Sequence, residues 1–459
     1  MAGARAQTAL SVKAAALAAA VFFTLAFFTH APGMIAAAKA ETPLSPPKSA
    51  PAQPAMSKDD KPSTSRAKAP ASSLPEARLE RVSFADLPGW ETDDHLAAFN
   101  TFVKSCDAAI RMAEKGSTRA VAQCRVPLDE LAAACRAAQG VKATDKAAKA
   151  FFEKQFVPHK IVHAKQRGLL TGYYEPVLEG SRTPQGKFQT PVYKRPTDLV
   201  NVVDEADRAS KQEGLTHVRR TSTGTSAPFP TRAEIEQGAL KGMGLELLYL
   251  EDPVEVFFMH IQGSGRVHLT DGSTVRINYD GKNGHPYSSI GRYLIENKIL
   301  PASKMSMQAL GKWLREDKER GQKVMWQNQS FIFFRELDGS EGPMGAMQVP
   351  LTAGRSLAVD TGYHALGTPI YLSVPELGHG GKGRGFNRLM VAQDVGSAIK
   401  GPERGDIYFG SGAKAGKQAG TTRHAGNFFV LRPASEQTAE QGLRFGERLQ
   451  WQTIVKSAP

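Results

Sequence analysis

Apolar residues recur with a helical period early in the chain and with a strand-like pattern after it. In residues 92–113, 128–139 and 145–155 the apolar positions lie three and four apart, with Asp or Glu near each start. These stretches predict a short helical region. From Leu169 onward the chain consists of short β-branched and aromatic runs separated by Gly and Pro, which is typical of strands.

Individual elements can be predicted within the second part of the chain. Strands are expected at 255–261, 267–269, 330–334 and 369–374, a turn at 270–273, and helices at 287–297 and 306–315. Strands this short, at this spacing, favour β-barrels.

The first forty residues have the features of an export signal. Two basic residues precede an uncharged run over 14–38, and Ala38-Lys39-Ala40 supplies a small-residue cleavage site. Residues 1–40 are therefore expected to be a signal peptide, which places the chain in the periplasm. The run is also long enough to span a bilayer, so an uncleaved signal anchor that tethers the protein remains the alternative.

Composition narrows the class of protein further. With 459 residues the chain is expected to form two domains, and residues 41–78, rich in Pro, Ala and Ser, predict a disordered linker. The net charge of +13 indicates an anionic partner. Lys and Arg are dispersed and no helix-turn-helix, zinc-finger or RNP pattern occurs, so nucleic acid is excluded as that partner.

Three cysteines, Cys106, Cys124 and Cys135, precede the strand-rich part. In an oxidising compartment two of them could pair and leave one over. We expect Cys106 to pair with Cys135, while three free buried thiols remain the alternative. No cysteine lies near the end of the export signal, so a lipoprotein anchor has no attachment point there.

Two carboxylates twelve positions apart are the strongest chemical signal. Asp394 and Asp406 each stand at the edge of an apolar strand-like run, and each has a Gly within two positions. This arrangement suits acids presented to a cleft at a barrel rim. The alternative is that both are turn formers, since Asp often bonds its own backbone in loops.

A third acid, Asp360, completes a pattern that resembles a known family. Together with Asp394 and Asp406 it is similar to the three-aspartate domain of the membrane-bound lytic murein transglycosylase A family. Further motifs of that family are matched in the same order, at 170–177 (LTGYYEPV), 188–193 (FQTPVY), 262–265 (QGSG) and 281–287 (GKNGHPY).

The resemblance implies a mainly β fold with a helical N-terminal region. In that fold a double-psi β-barrel of the barwin type carries an inserted second β-barrel, and a groove between the two holds glycan. The expected ranges are 79–175 with 335–434 for the double-psi barrel, 176–334 for the insert and 435–459 for a C-terminal tail.

The resemblance also implies a reaction. The family cleaves the β-1,4 bond between N-acetylmuramic acid and N-acetylglucosamine in peptidoglycan and forms a 1,6-anhydromuramic acid product. Asp406 is the expected acid and base, with Asp394 as its helper and Asp360 as a brace of the barrel loop. The apolar residues after Asp406 and the like charge of Asp394 are expected to raise its pKa.

Groups able to stack on sugars or to bond acetamides are candidates for binding glycan. They are Tyr173, Tyr174, Gln262, Ser264, Lys282, Asn283, Tyr287, Lys400 and Tyr408. Because successive strand residues face opposite sides, only one of Tyr173 and Tyr174 is expected to reach the groove. Gly172, Gly263 and Gly265 are expected to be structural.

No cofactor or metal ion is expected. His159 and His163 have a metal-ligand spacing but lack the Glu of a His-Glu-x-x-His motif. The protein is expected to act as a monomer on glycan strands, with cell-wall synthesis or division proteins as further partners. Two other functions stay open: a non-catalytic peptidoglycan-binding module, and a glycoside hydrolase that uses water.

Overall fold

The computed structural model describes residues 77–116, 125–164, 168–202, 215–338, 341–378 and 385–434, all within one unit. Among these residues, no helix combines the length and apolar character needed to cross a bilayer. The predicted export signal, nearly all of the linker, Cys124 and the C-terminal tail lie outside the described residues.

Helices and strands alternate unevenly along the chain. The helices are α1 His95–Glu114, α2 Leu128–Ala137, α3 Asp145–Gln155, α4 Arg232–Glu234, α5 Pro253–Gln262, α6 Ile290–Glu296, α7 Met307–Glu316, α8 Lys318–Met325 and α9 Gly412–Thr421. The strands are β1 Ala77–Arg81, β2 Phe156–His163, β3 Gly168–Glu175, β4 Val177–Ser181, β5 Thr190–Tyr193, β6 Leu199–Asn201, β7 His217–Arg220, β8 Ser226–Ala227, β9 Glu246–Leu250, β10 Ser264–Leu269, β11 Thr274–Lys282, β12 Ile332–Leu337, β13 Ser356–Val359, β14 Pro369–Val374, β15 Phe386–Val395, β16 Arg404–Ser411 and β17 Arg423–Pro433.

The three helices predicted at the start of the folded region are present as α1, α2 and α3. Asp94 accepts a hydrogen bond from the N–H of Ala97 at the start of α1, and Thr144 does the same for Ala147 at the start of α3. Such caps satisfy N–H groups that have no partner within the helix. A disulfide joins Cys106 of α1 to Cys135 of α2, with 5.1 Å between their Cα atoms. These are the two cysteines that we expected to pair.

The first sheet closes into a six-stranded barrel. Its order is β17-β14-β15-β13-β16-β3, and β3 pairs again with β17, while β2 and β1 extend the sheet beyond β17. The pairs β13–β15 and β16–β3 are parallel and the others in the ring are antiparallel. Apolar residues of this barrel and of the first three helices form one core. The predicted double-psi barrel with a helical N-terminal region is confirmed.

The second sheet lies in the segment between β3 and β13. Its six strands are ordered β12-β11-β10-β4-β9-β5, and a bridge between Lys194 and Phe334 joins its two edges. A separate small core fills this second barrel, and β6, β7 and β8 form a three-stranded sheet beside it. On this basis we propose domain boundaries after residue 175 and before residue 335.

The prediction of a strand at 255–261 is wrong, because this segment lies in helix α5. Asp252 caps the helix through the N–H of Val254, Pro253 occupies its first turn, and Gly263 ends it with φ +79°. Pro is favoured in the first turn of a helix, and Gly is favoured directly after its last turn. The run resembled a strand because nearly every side chain from 254 to 260 is buried, so no polar face marks the helical period.

The other predicted elements in this part of the chain are present, some with different bounds. The turn at 270–273 joins β10 to β11, and β14 covers the predicted residues 369–374. Helix α6 is shorter than the predicted 287–297, because Ser289 caps it by accepting from the N–H of Arg292.

A buried ion pair fastens the start of the helical region to the barrel. Asp93 accepts two hydrogen bonds from Arg355, at 3.0 and 2.8 Å, and one from the N–H of Leu389 of β15 at 2.7 Å. Both charged side chains are buried. Removing one member of such a pair leaves an uncompensated charge in the interior.

We therefore expect Asp93→Asn to lower the free energy of unfolding by about 3 kcal/mol. Denaturant unfolding followed by circular dichroism measures the loss. Glu80→Gln, which breaks the exposed pair of Glu80 with Arg78, is the control and should change little. Equal effects of the two substitutions would show that the buried pair does not anchor the helical region.

Candidate active site

Strand β13 brings the two predicted acids together. Its residue Ala358 pairs with Asp394 of the parallel neighbour β15 and with Asp406 of the antiparallel neighbour β16. Register partners project to the same face of a sheet, and two strand spacings separate their Cα atoms by about 10 Å. Both carboxylates therefore stand on one face of the barrel, on either side of β13.

Alternation along β16 separates this face from the barrel core. Ile407 packs into the core, whereas Asp406 and Tyr408 lie on the opposite face. Tyr408 is buried there in a small outer cluster with Tyr173, Leu351, Ala358 and Ile399. Its ring centroid lies 5.3 Å from that of Tyr173. Tyr408 therefore packs inside the protein next to Asp406. The expectation that Tyr408 binds glycan is corrected.

Thr171 donates a hydrogen bond to one carboxyl oxygen of Asp406. It is the register partner of Asp406 on β3, and its hydroxyl donates to Oδ1 of Asp406 at 2.5 Å. Arg404 donates from Nη2 to the same hydroxyl at 2.9 Å. A guanidinium cannot accept a hydrogen bond, so the hydroxyl hydrogen is available to Asp406, which accepts it at Oδ1. With Oδ1 engaged in this way, Oδ2 is the oxygen available to carry the proton in the acid form of Asp406.

Burial controls the protonation of Asp406. Loss of solvent raises the pKa of its carboxyl, while the charge of Arg404 and the hydrogen bond from Thr171 act in the opposite direction. The net direction is upward. Asp406 thus keeps its proton at higher pH than an exposed aspartate does.

Asp394 has a different set of partners. Its Oδ1 accepts from the N–H groups of Ala346 at 3.0 Å and Val395 at 2.9 Å, and its Oδ2 accepts from the hydroxyl of Tyr173 at 2.8 Å. Burial, with a contribution from the charge of Asp406, raises the pKa of Asp394 to about 6. Burial also raises the pKa of Tyr173 well above its ordinary value, so its phenol remains a donor.

A cavity of about 530 Å³ opens beside Asp394, and we call it the Asp394 cavity. Both barrels and the segment 343–351 contribute to its wall. Of the predicted residues it is lined by Tyr173, Gln262, Gly263, Ser264, Lys282 and Asp394. Residues that the sequence analysis did not single out include Arg195, His260, Asn278, Asp280, Arg335 and Gln348. No group of three or more His, Cys, Asp or Glu in the described part of the chain is arranged to hold a metal ion.

Comparisons with known proteins agree with this architecture. Residues 169–335 match the MltA specific insert domain and residues 355–432 match the 3D domain. The crystal structure of a membrane-bound lytic murein transglycosylase from Agrobacterium tumefaciens is similar at 37% identity and a TM-score of 0.69, covering 77% of this chain and 97% of that one. The chain belongs to the MltA family.

Two further relatives of this MltA-family chain are informative. Membrane-bound lytic murein transglycosylase A from Vibrio cholerae is 36% identical over 268 residues, which are 57% of this chain, and the chain spans 65% of that relative's length. The structure of Escherichia coli MltA with bound chitohexaose is similar at 33% identity and a TM-score of 0.51, covering 67% of this chain and 83% of that one.

In this MltA-family structure, Tyr173 and Tyr174 diverge as strand alternation requires. Tyr173 lines the Asp394 cavity, whereas the ring of Tyr174 packs against α9, where a Cβ on Gly416 would lie 2.8 Å from it. The backbone N–H of Tyr174 donates to Oε1 of Gln262 at 2.9 Å. Gln262 is thereby held at the cavity wall by the strand that carries both tyrosines.

Asn283 does not take part in the site. Its side chain is fully buried, donates to the carbonyls of Pro230 at 2.8 Å and Gln329 at 2.9 Å, and accepts from the N–H of Phe331 at 2.8 Å. All its polar atoms serve the fold of the insert. The expectation that Asn283 binds glycan is therefore corrected.

Two other predicted binders lie outside the Asp394 cavity. Tyr287 is half-buried, and burial, with a smaller contribution from the charge of Asp406, raises its pKa. Lys400 is half-buried in the connection between β15 and β16. Their roles remain predictions.

Asp360 and the glycines occupy structural positions. Asp360 is buried, and its two oxygens accept from the N–H groups of Gly362 at 3.0 Å and Gly401 at 2.8 Å, which ties two loops of the barrel rim together. A Cβ on Gly172 would lie 2.4 Å from the ring of Phe409, and one on Gly265 would lie 2.6 Å from Sδ of Met259. A Cβ on Gly172 would also lie 2.9 Å from the backbone of Ala419, so this position has no space for a larger residue, whereas a larger residue at position 265 would require Met259 to move.

The raised pKa of Asp394 predicts how stability depends on pH. A carboxyl whose pKa rises on folding stabilises the protein below its unfolded pKa, near 4, and this contribution is lost as pH rises through about 6. Asp394→Asn removes the ionisation. We expect the variant to gain about 2 kcal/mol relative to the parent between pH 4 and pH 8, after allowance for partial exposure.

Denaturant unfolding at a series of pH values measures this difference. Asp271→Asn is the matched control, because hydrogen bonds from Ser273 lower the pKa of Asp271 and its substitution should act with the opposite sign. A pH-independent effect of Asp394→Asn would mean that Asp394 titrates like an exposed acid.

Proposed function

We propose that this chain is a lytic transglycosylase that cleaves the β-1,4 bond between N-acetylmuramic acid and N-acetylglucosamine in peptidoglycan. One observation carries the proposal: Asp406 is a half-buried acid with a raised pKa whose Oδ1 is engaged by Thr171, which leaves Oδ2 to carry the proton. Membership of the MltA family and the chitohexaose bound by Escherichia coli MltA support a glycan substrate.

In the first step Oδ2 of Asp406 donates its proton to the glycosidic oxygen. The bond between that oxygen and C1 of the muramic acid breaks, and the sugar acquires oxocarbenium character. The N-acetylglucosamine product then leaves with its hydroxyl restored. Asp406 is left as a carboxylate, which Arg404 stabilises through the hydroxyl of Thr171.

In the second step the same carboxylate takes the proton of the muramic acid C6 hydroxyl. The oxygen of that hydroxyl forms a bond to C1 and closes the 1,6-anhydro ring. Asp406 returns to its acid form, so no proton or water is consumed. A single titrating group whose pKa is raised toward the working pH is suited to both transfers.

Asp394 acts as a helper and does not activate water. Its oxygens accept three hydrogen bonds, from Tyr173, Ala346 and Val395. A hydrolase would need a second carboxylate free to activate water or to attack C1. Asp394 instead keeps the hydroxyl of Tyr173 and the segment around Ala346 in place and contributes negative charge beside the developing cation.

Location and partners follow from the same proposal. The relatives are named membrane-bound, and we propose that this protein too is exported and membrane-associated, in the periplasm. Glycan strands of peptidoglycan are its proposed substrate. We keep the prediction of a monomer that meets cell-wall synthesis or division proteins.

We expect Asp406→Asn to reduce release of anhydromuropeptides from purified sacculi by at least about 100-fold, because the amide can neither donate nor accept the proton. Mass spectrometry of the digest measures the products, and a sedimentation assay checks that the variant still binds sacculi. Asp271→Asn, on an exposed turn, is the control.

The three candidate functions give different digests. Transglycosylation releases anhydro ends and hydrolysis releases reducing ends, while a binding module releases neither. Substantial anhydro release by Asp406→Asn, or reducing ends from the parent protein, would contradict the proposal.

Thr171→Val should change the pH dependence of the reaction as well as its rate. Loss of the hydrogen bond to the ionised carboxylate raises the pKa of Asp406, so the alkaline limb of the profile of kcat/KM should move to higher pH. Thr171→Ser keeps the hydroxyl and should restore the parent profile. A lower rate with an unmoved profile would mean that Thr171 only supports the strand.

A further inference from the structure

A row of register partners builds one wall of the Asp394 cavity. Ser264 of β10 pairs with Asn278 of β11, which pairs with Arg335 of β12, and all three residues line the cavity. Directly opposed residues on adjacent strands project to the same side of a sheet. The cation of Arg335 is therefore carried on a rigid element of the insert.

A β-bulge brings two more cations to this wall. The register of β11 against β12 shifts between Tyr279 and Gly281, after which Lys282 pairs with Ile332. The side chain of Arg195 crosses the bulge, where a Cβ on Gly281 would lie 3.3 Å from its Cδ. Arg195 and Lys282 both line the cavity.

Hydrogen bonds to neutral groups orient two of these cations. Arg195 donates to the carbonyl of Asp280 at 3.3 Å and to that of Leu199 at 3.0 Å. Arg335 donates from Nη2 to Oε1 of Gln348 at 2.6 Å. The acceptors in these hydrogen bonds are carbonyl and amide oxygens, which carry no charge. Each guanidinium has five N–H donors and so retains further donors for a ligand.

The charges of the wall do not balance. Three cations, Arg195, Lys282 and Arg335, face two acids, Asp280 and Asp394, and Asp394 is already engaged by three donors. His260 also lines the cavity, but burial and the charge of Arg232 hold its pKa well below the ordinary value, so it is neutral. The N-acetylated sugar rings of a glycan strand carry no charge, and their hydroxyls and acetamides do not require a cationic wall. A carboxylate does.

We propose that the Asp394 cavity binds a carboxylate of the substituent on muramic acid and so selects carboxylate-bearing glycan. This inference rests on the proposed function and adds a substrate feature to it. Two sources share the chemistry: the carboxylates of the stem peptide, and the lactyl carboxylate that becomes free once the peptide is removed. The volume of about 530 Å³ lies within the range of small-ligand sites.

Binding to three ligands tests the proposal. They are peptide-bearing glycan fragments, the same fragments stripped by an amidase, and chitohexaose, which has no carboxylate. Calorimetry is done on an Asp406→Asn background, so that catalysis does not interfere. Mass spectrometry of the fragments after each titration detects any cleavage by this background, which would contradict the acid assignment and not the binding proposal. Arg335→Gln is the test substitution. Arg335→Lys keeps the charge, and Lys241→Gln removes an equal charge from an exposed site of the insert outside the cavity lining.

We expect Arg335→Gln to weaken binding of carboxylate-bearing fragments roughly 10-fold and to leave binding of chitohexaose unchanged. Arg335→Lys should retain much of the affinity, and Lys241→Gln should match the parent. Loss on the peptide-bearing fragments alone assigns the stem peptide, and loss on the stripped fragments alone assigns the lactyl group. Equal loss on all three ligands, or loss on none, would overturn the proposal.

Discussion

The double pairing of strand β3 is the constraint on which the rest of the structure depends. β3 is parallel to β16 on one side and antiparallel to β17 on the other, and this closes the first barrel. Its register against β16 sets Thr171 beside Asp406 and Tyr173 beside Tyr408. Strand β3 thus closes the barrel and also supplies one hydrogen-bond donor to each acid, Thr171 to Asp406 and Tyr173 to Asp394.

The same strand also leads into the second barrel. It ends at Glu175, a fully buried carboxylate that accepts from Nε of Arg276 at 2.6 Å and from the hydroxyl of Ser411. Arg276 belongs to β11 of the insert and Ser411 to β16 of the first barrel. Charged partners and a hydroxyl compensate the burial of this carboxylate. Glu175 therefore couples the sheet that holds Asp406 to the sheet that carries the cationic wall.

The sequence was informative where local chemistry determines structure. Apolar spacing and acids near the helix starts marked α1 and α3, and motif order marked the family and its fold. It misled at α5, where burial on all sides hid the helical period, and at Asn283, whose polar side chain serves buried backbone groups. Arg195, Asn278 and Arg335 could not be foreseen, because they meet only through the pairing of strands far apart in sequence and through a bulge.

The hydroxyl of Thr171 has a consequence for the kind of acid that Asp406 can be. A guanidinium in direct contact with a carboxylate lowers the pKa of that carboxylate by about 1 to 3 units, which would leave a permanent anion with no proton to give. Here one alcohol group stands between Arg404 and Asp406. The hydroxyl is a spacer between the two charges: it keeps the positive charge of Arg404 near the carboxyl without direct contact, so the charge stabilises the anion less than an ion pair would, and the carboxyl can still be protonated.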